Sequence, residues 1–128
     1  MEINLIVIRT DKPKELSEFY EQIGMKFKYH QHGKGTWHYS TEIGETVFEI
    51  YPLMKNQETP DNSLRLGFSI DDLDRLIIKL KYRNVEIVRE PKKSEWGYFA
   101  IIKDLDGRKI ELKKKPAANN ASAFMAGS

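Results

Sequence analysis

A pattern that occurs twice, about 60 residues apart, constrains the fold of this chain more than any other feature of the sequence. Gly44 is followed by a strand-like run in which Glu49 lies between two apolar residues. The segment Asp104–Leu112 repeats this design, with Gly107 in the turn and Glu111 in the strand. Alternation places each carboxylate on the strand face away from the apolar layer. In a chain of 128 residues, the repeat predicts one domain built from two similar halves.

Around each copy, periodicity and turn residues predict the same order of elements, β-α-β-β-β. The first helix is expected to begin at Thr10 or Asp11 and to end at Gly24. The second helix is expected to begin at Asp71 or Asp72. The first strand is almost wholly apolar, so we expect it to be buried on both faces. The predicted strands cover residues 3–8, 25–31, 35–41, 46–51, 64–70, 85–90, 96–103 and 109–113.

The predicted fold class is α+β, with two tandem βαβββ modules that form a curved, partly closed mixed sheet around a cavity, with the helices outside. Composition alone predicts a disordered C-terminal tail, unless Phe124 and Met125 pack against the domain or a neighbouring chain. The predicted boundaries are a single domain at 1–115, module one at 1–52, a linker at 53–63, module two at 64–115 and the tail at 116–128.

Charge, cysteine content and hydropathy exclude several classes of protein. The net charge of +2 does not provide the basic surface that nucleic-acid binding requires. Cysteine is absent, which excludes disulfides, thiolate nucleophiles and cysteine metal sites. There is no apolar run of about 18 residues and no signal-peptide pattern at the N-terminus. We therefore expect a cytoplasmic protein that binds neither nucleic acid nor membranes.

In order and spacing, four short motifs resemble those of the vicinal oxygen chelate superfamily, which comprises glyoxalase I, bleomycin-resistance proteins and extradiol dioxygenases. The resemblance extends over residues 2–113 and departs from the family at Leu105, where proline is common. It implies paired βαβββ modules, often in a homodimer. The motifs are Asp11 with Glu18-Phe19-Tyr20 and Gly24, then Gly44 to Ile50, Ser69-Ile70-Asp71-Asp72-Leu73, and Asp104 to Leu112.

The resemblance also implies four metal ligands, one on the first and one on the last strand of each module. The last-strand ligands match Glu49 and Glu111. The first-strand ligands match Asn4 and Arg65, although the apolar first strand leaves its register open by one residue. Arginine stays protonated and offers only donors, so it cannot replace a histidine ligand. We therefore predict that Arg65 takes the place of the metal between the two carboxylates, and that the protein holds no metal or other cofactor.

Each of these charged residues has two interpretations. Glu49 and Glu111 either act as acid–base groups or close the sheet through ion pairs, and the ion pairs are favoured. Arg65 either binds an anionic ligand with its guanidinium or has a purely structural role.

Three histidines form a second group of candidates. His30 and His32 share a strand face, which is one way to make a metal site. Together with His38, they surround a glycine-rich hairpin and match no ligand position of the family. Solvated hairpin histidines are therefore the favoured interpretation.

Strand aromatics form the third group. In this superfamily, aromatic walls often enclose planar ligands, but strand aromatics are also ordinary core material, and both interpretations stay open. Phe19 and Tyr20 lie on the first helix and are predicted to be core. The predicted ligand-binding aromatics are Trp37, Tyr51, Trp96 and Tyr98.

The favoured function is a metal-independent small-molecule-binding protein of the glyoxalase and bleomycin-resistance type, with a cavity anchored by Arg65, Glu49 and Glu111. The alternative is a divalent-metal-dependent lyase or isomerase resembling glyoxalase I, and the two missing first-strand histidines count against it. A third interpretation is an accessory domain whose cavity is filled by its own side chains. The expected partners are a small-molecule ligand and a second copy of the chain.

Overall fold

The computed structural model describes residues 1–116, so the predicted packing of Phe124 and Met125 lies outside the described part of the chain. This part divides into two compact units. Unit 1 comprises residues 1–64 and 103–108, and the described part of unit 2 comprises residues 65–102 and 109–116. No helix within residues 1–116 combines the length and the apolar character needed to cross a membrane.

Unit 1 contains one helix and a four-stranded mixed sheet. Its elements are β1 (Leu5–Thr10), α1 (Pro13–Glu21), β2 (Lys28–His30), β3 (His38–Ile43) and β4 (Thr46–Pro52). The strand order is β1-β4-β3-β2, in which β1 runs parallel to β4 and the other neighbours are antiparallel.

Unit 2 repeats this arrangement. Its elements are β5 (Leu66–Ile70), α2 (Leu73–Tyr82), β6 (Ile87–Ser94), β7 (Gly97–Lys103) and β8 (Lys109–Lys114). The strand order is β5-β8-β7-β6, with β5 parallel to β8 and β6 antiparallel to β7. The predicted α+β class and the two tandem βαβββ modules are confirmed.

Helix α1 covers one face of the unit 1 sheet. Leu16, Phe19 and Tyr20 fall at helical spacing and are all buried. Tyr20 makes an edge contact with Phe48 of β4, with ring centroids 5.3 Å apart. The predicted core role of Phe19 and Tyr20 is therefore confirmed.

Strand β1 is buried on one face only, which corrects the prediction that it is buried on both. Ile3, Leu5 and Val7 are 68%, 52% and 38% exposed, respectively. The opposite face carries Ile8 and Thr10, which are buried on the side where α1 packs. The alternating side chains of β1 therefore lie in two different environments.

The starts of the two helices differ in their capping. Lys12 is the N-cap of α1 and has no side-chain cap bond, so the predicted caps Thr10 and Asp11 are wrong. Pro13 at the first helical position has a φ suited to the helix and needs no N–H partner. Asp72 caps α2 as predicted, because its side chain accepts a backbone N–H from the first turn at 3.2 Å.

Strand β6 continues through Pro91, although the sequence predicted that it ends at residue 90. It is an edge strand, and its register with β7 shifts between Arg89 and Lys92. Proline is tolerated at such an edge irregularity because it removes no regular ladder hydrogen bond. Residues 92–94, which lie between the predicted strands 85–90 and 96–103, therefore belong to β6.

The aspartate-glycine turn between β7 and β8 is built around a buried arginine. Gly107 has a φ of +88°, as expected for the glycine of this turn. Asp104 Oδ1 accepts the backbone N–H groups of Asp106 and Arg108 at 2.9 and 3.1 Å. The Arg108 guanidinium donates to Asp104 at 3.2 Å and to Asp106 at 2.9 Å. It also donates to the carbonyl oxygen of Arg9 at 2.8 Å, which attaches the turn to β1.

A tyrosine from α1 completes this network. The Tyr20 hydroxyl donates to Asp104 Oδ2 at 2.7 Å. Burial, together with the Asp104 charge, raises the pKa of Tyr20 well above its usual range. The hydroxyl therefore stays protonated and acts as a permanent donor to the buried carboxylate.

Candidate functional site

The face of the unit 1 sheet away from α1 carries a line of polar side chains. Glu49 on β4 is in register with Val7 on β1, and Tyr51 is in register with Arg9. Residues in register across neighbouring strands share a face, so these side chains point away from the buried Ile8. We call this surface the open face.

Two histidines lie on the same face at the edge of the sheet. His30 on β2 is in register with His38 on β3, and their ring centroids are 4.5 Å apart. His32 lies in the hairpin between these strands, with its ring 4.7 Å from His30 and 5.2 Å from His38. The hairpin turns at Gly33, which has a φ of +56°. Together with Glu49, the histidines offer four donor atoms that all lie within 4.8 Å of one another.

The tautomer of His38 follows from its hydrogen bonds. Its Nδ1 lies 2.8 Å from the carbonyl oxygen of Thr36, which can only accept, so Nδ1 carries a proton. In the neutral ring, Nε2 is then an unprotonated acceptor, and it lies 3.0 Å from Glu49 Oε2. Two acceptors at this distance require a proton or a cation between them.

Tyr51 packs against the pair formed by His38 and Glu49. Its ring stacks on His38 with centroids 4.2 Å apart and an interplanar angle of 8°. Its hydroxyl lies 3.4 Å from His38 Nε2. Burial, followed by the charge of Glu49, raises the pKa of Tyr51, so the phenol stays neutral and can donate. The Arg9 guanidinium lies 5.0 Å from the centroid of the Tyr51 ring.

A cavity of about 360 Å³ lies in unit 1 beside these residues. Arg9 and Val7 line it, and both belong to the open face. Arg9 also donates to the carbonyl oxygen of Pro52 at 3.1 Å, which holds the guanidinium in place. The apolar lining comes from Val7, Ile8, Met54 and Leu64, and the polar lining from Arg9, Gln57, Asp61 and Arg108.

The linker contributes a carboxylate to this cavity. Asp61 accepts hydrogen bonds from the backbone N–H and the hydroxyl of Ser63 at 2.9 and 2.8 Å. These bonds hold the pKa of Asp61 below its usual value. The cavity therefore presents both a cation and an anion to a ligand.

The predicted anchor residues are divided between the two units. Glu49 lies in unit 1, where its Oε2 is 3.0 Å from His38 Nε2. Arg65 precedes β5 and is exposed, and Glu111 lies on β8 in register with Gly67, both in unit 2. Nothing in the geometry of either unit tests the predicted cluster, which stays a prediction.

Asn4 precedes β1, and its carbonyl oxygen accepts the N–H of Val47 at 2.9 Å. Side chains alternate along β1, so Asn4, one residue before the strand, belongs to the same face as Ile6 and Ile8. By the same count, Val7 rather than Asn4 shares the face of Glu49.

The four predicted aromatics have different surroundings. Tyr51 lies on the open face beside the histidines. Trp37 is 48% exposed and stacks on Tyr29, with centroids 5.1 Å apart. In unit 2, Trp96 is 71% exposed, and the hydroxyl of Tyr98 donates to Asp74 at 2.6 Å.

The donor set that the resemblance implies for a metal is incomplete. On β1, the residues that share the face of Glu49 are Leu5, Val7 and Arg9, and none of these side chains is a metal ligand. On β5, the residue in register with Glu111 is glycine. The side chains at the first-strand positions therefore do not fit the metal site of the family's enzymes.

The sequence did not predict that the three histidines form a cluster. The interpretation as solvated hairpin residues is wrong for His38, which is only 1% exposed. The signal was the spacing of His30 and His32 together with a third histidine across a short hairpin. Its meaning depended on the register of β2 with β3, which brings the rings together.

The chain belongs to the Glyoxalase/Bleomycin resistance protein/Dioxygenase superfamily, whose model matches residues 2–112. A curated relative is the uncharacterized protein YetH of Bacillus subtilis (strain 168), 38% identical over 72 residues. That alignment covers 55% of this chain and 58% of the relative, so the chain matches little more than half of the relative's length.

Solved structures share the fold at lower identity. TnmS3, an antibiotic binding protein from Streptomyces sp. CB03234, is 24% identical with a TM-score of 0.69, covering 91% of this chain and 97% of that one. TioX from Micromonospora sp. ML1 is 14% identical with a TM-score of 0.67, covering 88% of this chain and 97% of that one.

Proposed function

We propose that this protein binds a small molecule in the cavity of unit 1, and that this binding needs no metal. The observation that carries the proposal is a cavity of about 360 Å³ with a fixed guanidinium in its wall. Small-molecule sites commonly have volumes of roughly 300–1,000 Å³ and combine apolar walls with a few polar groups. Superfamily membership and the antibiotic binding of TnmS3 support the same function.

The charge distribution suggests the chemistry of the ligand. Arg108 is already neutralised by Asp104 and Asp106. Within residues 1–116, Arg9 makes no ion pair, and its guanidinium is held by a carbonyl oxygen and an aromatic ring. A guanidinium of this kind favours a carboxylate or another anionic group. The proposed ligand is therefore a small molecule with an apolar body and one anionic group bound to Arg9.

The anchor of Arg65, Glu49 and Glu111 predicted from the sequence is a competing proposal for the same function. It places the cation that binds the ligand just before β5 rather than on β1. The variants Arg9→Ala and Arg65→Ala separate the two proposals, because only the true anchor should weaken ligand binding.

A thermal-shift screen in the presence of EDTA tests the function. The probes are planar aromatic carboxylates and S-lactoylglutathione, each compared with an uncharged analogue where one exists. A bound probe should raise the melting temperature, and Arg9→Ala should remove the shift. A shift that survives in Arg9→Ala and disappears in Arg65→Ala would favour the anchor predicted from the sequence. No shift with any probe would favour an accessory domain.

A metal-dependent lyase or isomerase is the second candidate function. The observation that favours it is the group of three histidines and Glu49 on the same face as Arg9. Isomerisation of the hemithioacetal of methylglyoxal and glutathione, assayed with added zinc or nickel, tests it directly. Absence of turnover with both metals would rule out this activity.

The homodimer and the cytoplasmic location expected from the sequence stay predictions. Sedimentation velocity tests the first, since a monomer at micromolar concentration would contradict it.

A further inference from the structure

We propose that His30, His32, His38 and Glu49 form a zinc site on the open face of unit 1. The site shares only Glu49 with the four ligand positions that the resemblance implies, and all its ligands come from one module. Zinc binding at this site does not depend on the proposed small-molecule binding, which needs no metal.

The donor types and their convergence carry the proposal. Imidazole nitrogens and carboxylate oxygens are both zinc ligands, and four such donors complete the tetrahedral coordination that zinc prefers. Strand register positions two of the histidines, because His30 and His38 face each other across β2 and β3. Glu49 comes from the next strand, where its Oε2 lies 3.0 Å from His38 Nε2. All four donor atoms lie within 4.8 Å of one another.

The hydrogen bonds of His38 prepare it as a ligand. Its Nδ1–H donates to the carbonyl oxygen of Thr36, which leaves the lone pair of Nε2 directed toward the cluster. A backbone carbonyl bonded to the other ring nitrogen is the usual outer-shell partner of a metal-bound histidine. This bond fixes the ring orientation before any metal binds.

A second nitrogen in the cluster lacks a partner. His30 Nε2 is buried and has no hydrogen bond. A buried polar atom without a partner is unfavourable, and such atoms are uncommon in folded proteins. A zinc ion would satisfy this nitrogen, and it would also separate the two facing acceptors of His38 and Glu49.

The cluster must contract slightly to bind zinc. Bonds of about 2.1 Å in a tetrahedral site place the donor atoms about 3.4 Å apart, which is closer than the widest pair here. His32 can supply the movement, because it is exposed and lies in the hairpin that turns at Gly33. The three other ligands lie on strands, and of these His38 Nε2 and Glu49 Oε2 must move slightly apart from their present 3.0 Å.

The alternative is a protonated His38 paired with Glu49 and no metal. In that case zinc would bind no more tightly than to isolated surface histidines, and single histidine variants would change its affinity little. Because His38 is buried, its replacement could unfold the protein, so the less buried His30 and His32 are the informative positions.

The experiment uses the 128-residue chain, stripped of metal with EDTA and then dialysed. Zinc affinity is measured by competition with a chromophoric chelator, stoichiometry by elemental analysis, and geometry by the visible spectrum of the Co²⁺ form. We expect one zinc per chain and a tetrahedral Co²⁺ spectrum. Loss of an outer-shell partner alone weakens metal binding 10- to 100-fold, so His32→Gln and His30→Gln should each weaken it by at least about 100-fold.

The matched control is Glu42→Gln, which changes an exposed carboxylate on β3 outside the cluster and should leave zinc affinity unchanged. Circular dichroism checks that each variant is folded. Zinc stoichiometry near zero would overturn the proposal. So would folded His30→Gln and His32→Gln variants that bind zinc as tightly as the unaltered protein. Either result leaves ligand binding in EDTA, and therefore the proposed function, untouched.

Discussion

The sheets of units 1 and 2 carry a carboxylate at the same place on the last strand, but its neighbours differ. In unit 1, Glu49 lies 3.0 Å from His38 at the edge of a histidine cluster. In unit 2, Glu111 lies beside Gly67 and shares its strand face with Lys109 and Lys113. The repeat therefore determines where a carboxylate stands, whereas the neighbouring strands determine what that carboxylate can do.

The turns that precede these two strands differ as well. The turn before β4 contains Gly44, with a φ of +59°, followed by the exposed Glu45. The turn before β8 encloses Arg108 and two aspartates whose side chains are at most 1% exposed. Burial alone would lower the pKa of Arg108, but the two aspartates raise it, so the guanidinium stays charged. Only the second turn adds a buried ion cluster to unit 1.

The largest expected effect comes from Arg108→Ala. The substitution leaves the buried Asp104 carboxylate without its cation, and leaves Asp106 with only the Lys12 ammonium at 3.7 Å. Breaking a buried ion pair in this way costs about 3–5 kcal/mol. Urea denaturation followed by circular dichroism measures the free energy of unfolding. The matched control is Glu45→Ala in the other turn, which is exposed and should leave that free energy unchanged. A cost below about 1 kcal/mol for Arg108→Ala would contradict the contrast between the turns.

The second-largest expected effect distinguishes the roles of Glu49 and Glu111 in zinc binding. Glu49→Gln should weaken zinc binding by at least about 100-fold, or about 2.7 kcal/mol, because it removes a charged ligand. Glu111→Gln should leave zinc affinity unchanged, since the proposed ligands all lie in unit 1. Chelator competition measures both variants. Equal losses would show that the zinc site follows the family positions rather than the histidine cluster.

A smaller effect is expected for Tyr20→Phe. The variant removes the 2.7 Å hydrogen bond to Asp104 and should lower the free energy of unfolding by about 1–3 kcal/mol. Folding raises the pKa of Tyr20 above its ordinary value of 10.0, so its stabilisation is fully present below that pH and is lost as pH rises above it. The difference between the two proteins should therefore shrink above about pH 10. A difference that grows there would contradict the assigned hydrogen bond.

Features that depend on neighbouring residues along the chain could be predicted from the sequence. The apolar spacing of α1 predicted that Phe19 and Tyr20 are buried. The Asp104–Leu112 segment predicted the turn that contains Gly107, whose φ is positive. The repeat itself predicted the order of elements in both modules. The helix spacing and the turn are each encoded within about ten residues, where spacing and backbone preference suffice. The repeat needs only the comparison of two such local patterns along the chain.

Features that depend on strand register could not be predicted. His30 meets His38 only because the β2–β3 hairpin pairs them across a seven-residue connection. Nothing in the sequence distinguishes that register from one in which the two rings point to opposite faces. The exposed face of β1 was missed for a related reason, since Leu5 and Val7 are apolar whether or not an element covers them.

The smallest expected effect tests the surroundings of Glu111. A Cβ at Gly67 would lie 3.2 Å from Glu111 Oε2. In unit 1, the residue in register with Glu49 is Val7, so the sheet accommodates a complete valine side chain at the equivalent position. Gly67→Ala should therefore cost about 0.5 kcal/mol in the unaltered protein, because crowding of the carboxylate outweighs the gain in backbone stability from replacing glycine. In a Glu111→Ala background, the crowding is gone and the same change should stabilise by about 0.5–1 kcal/mol. A double-mutant cycle in urea measures this reversal of sign, and equal effects in both backgrounds would show that Glu111 does not occupy the space beside Gly67.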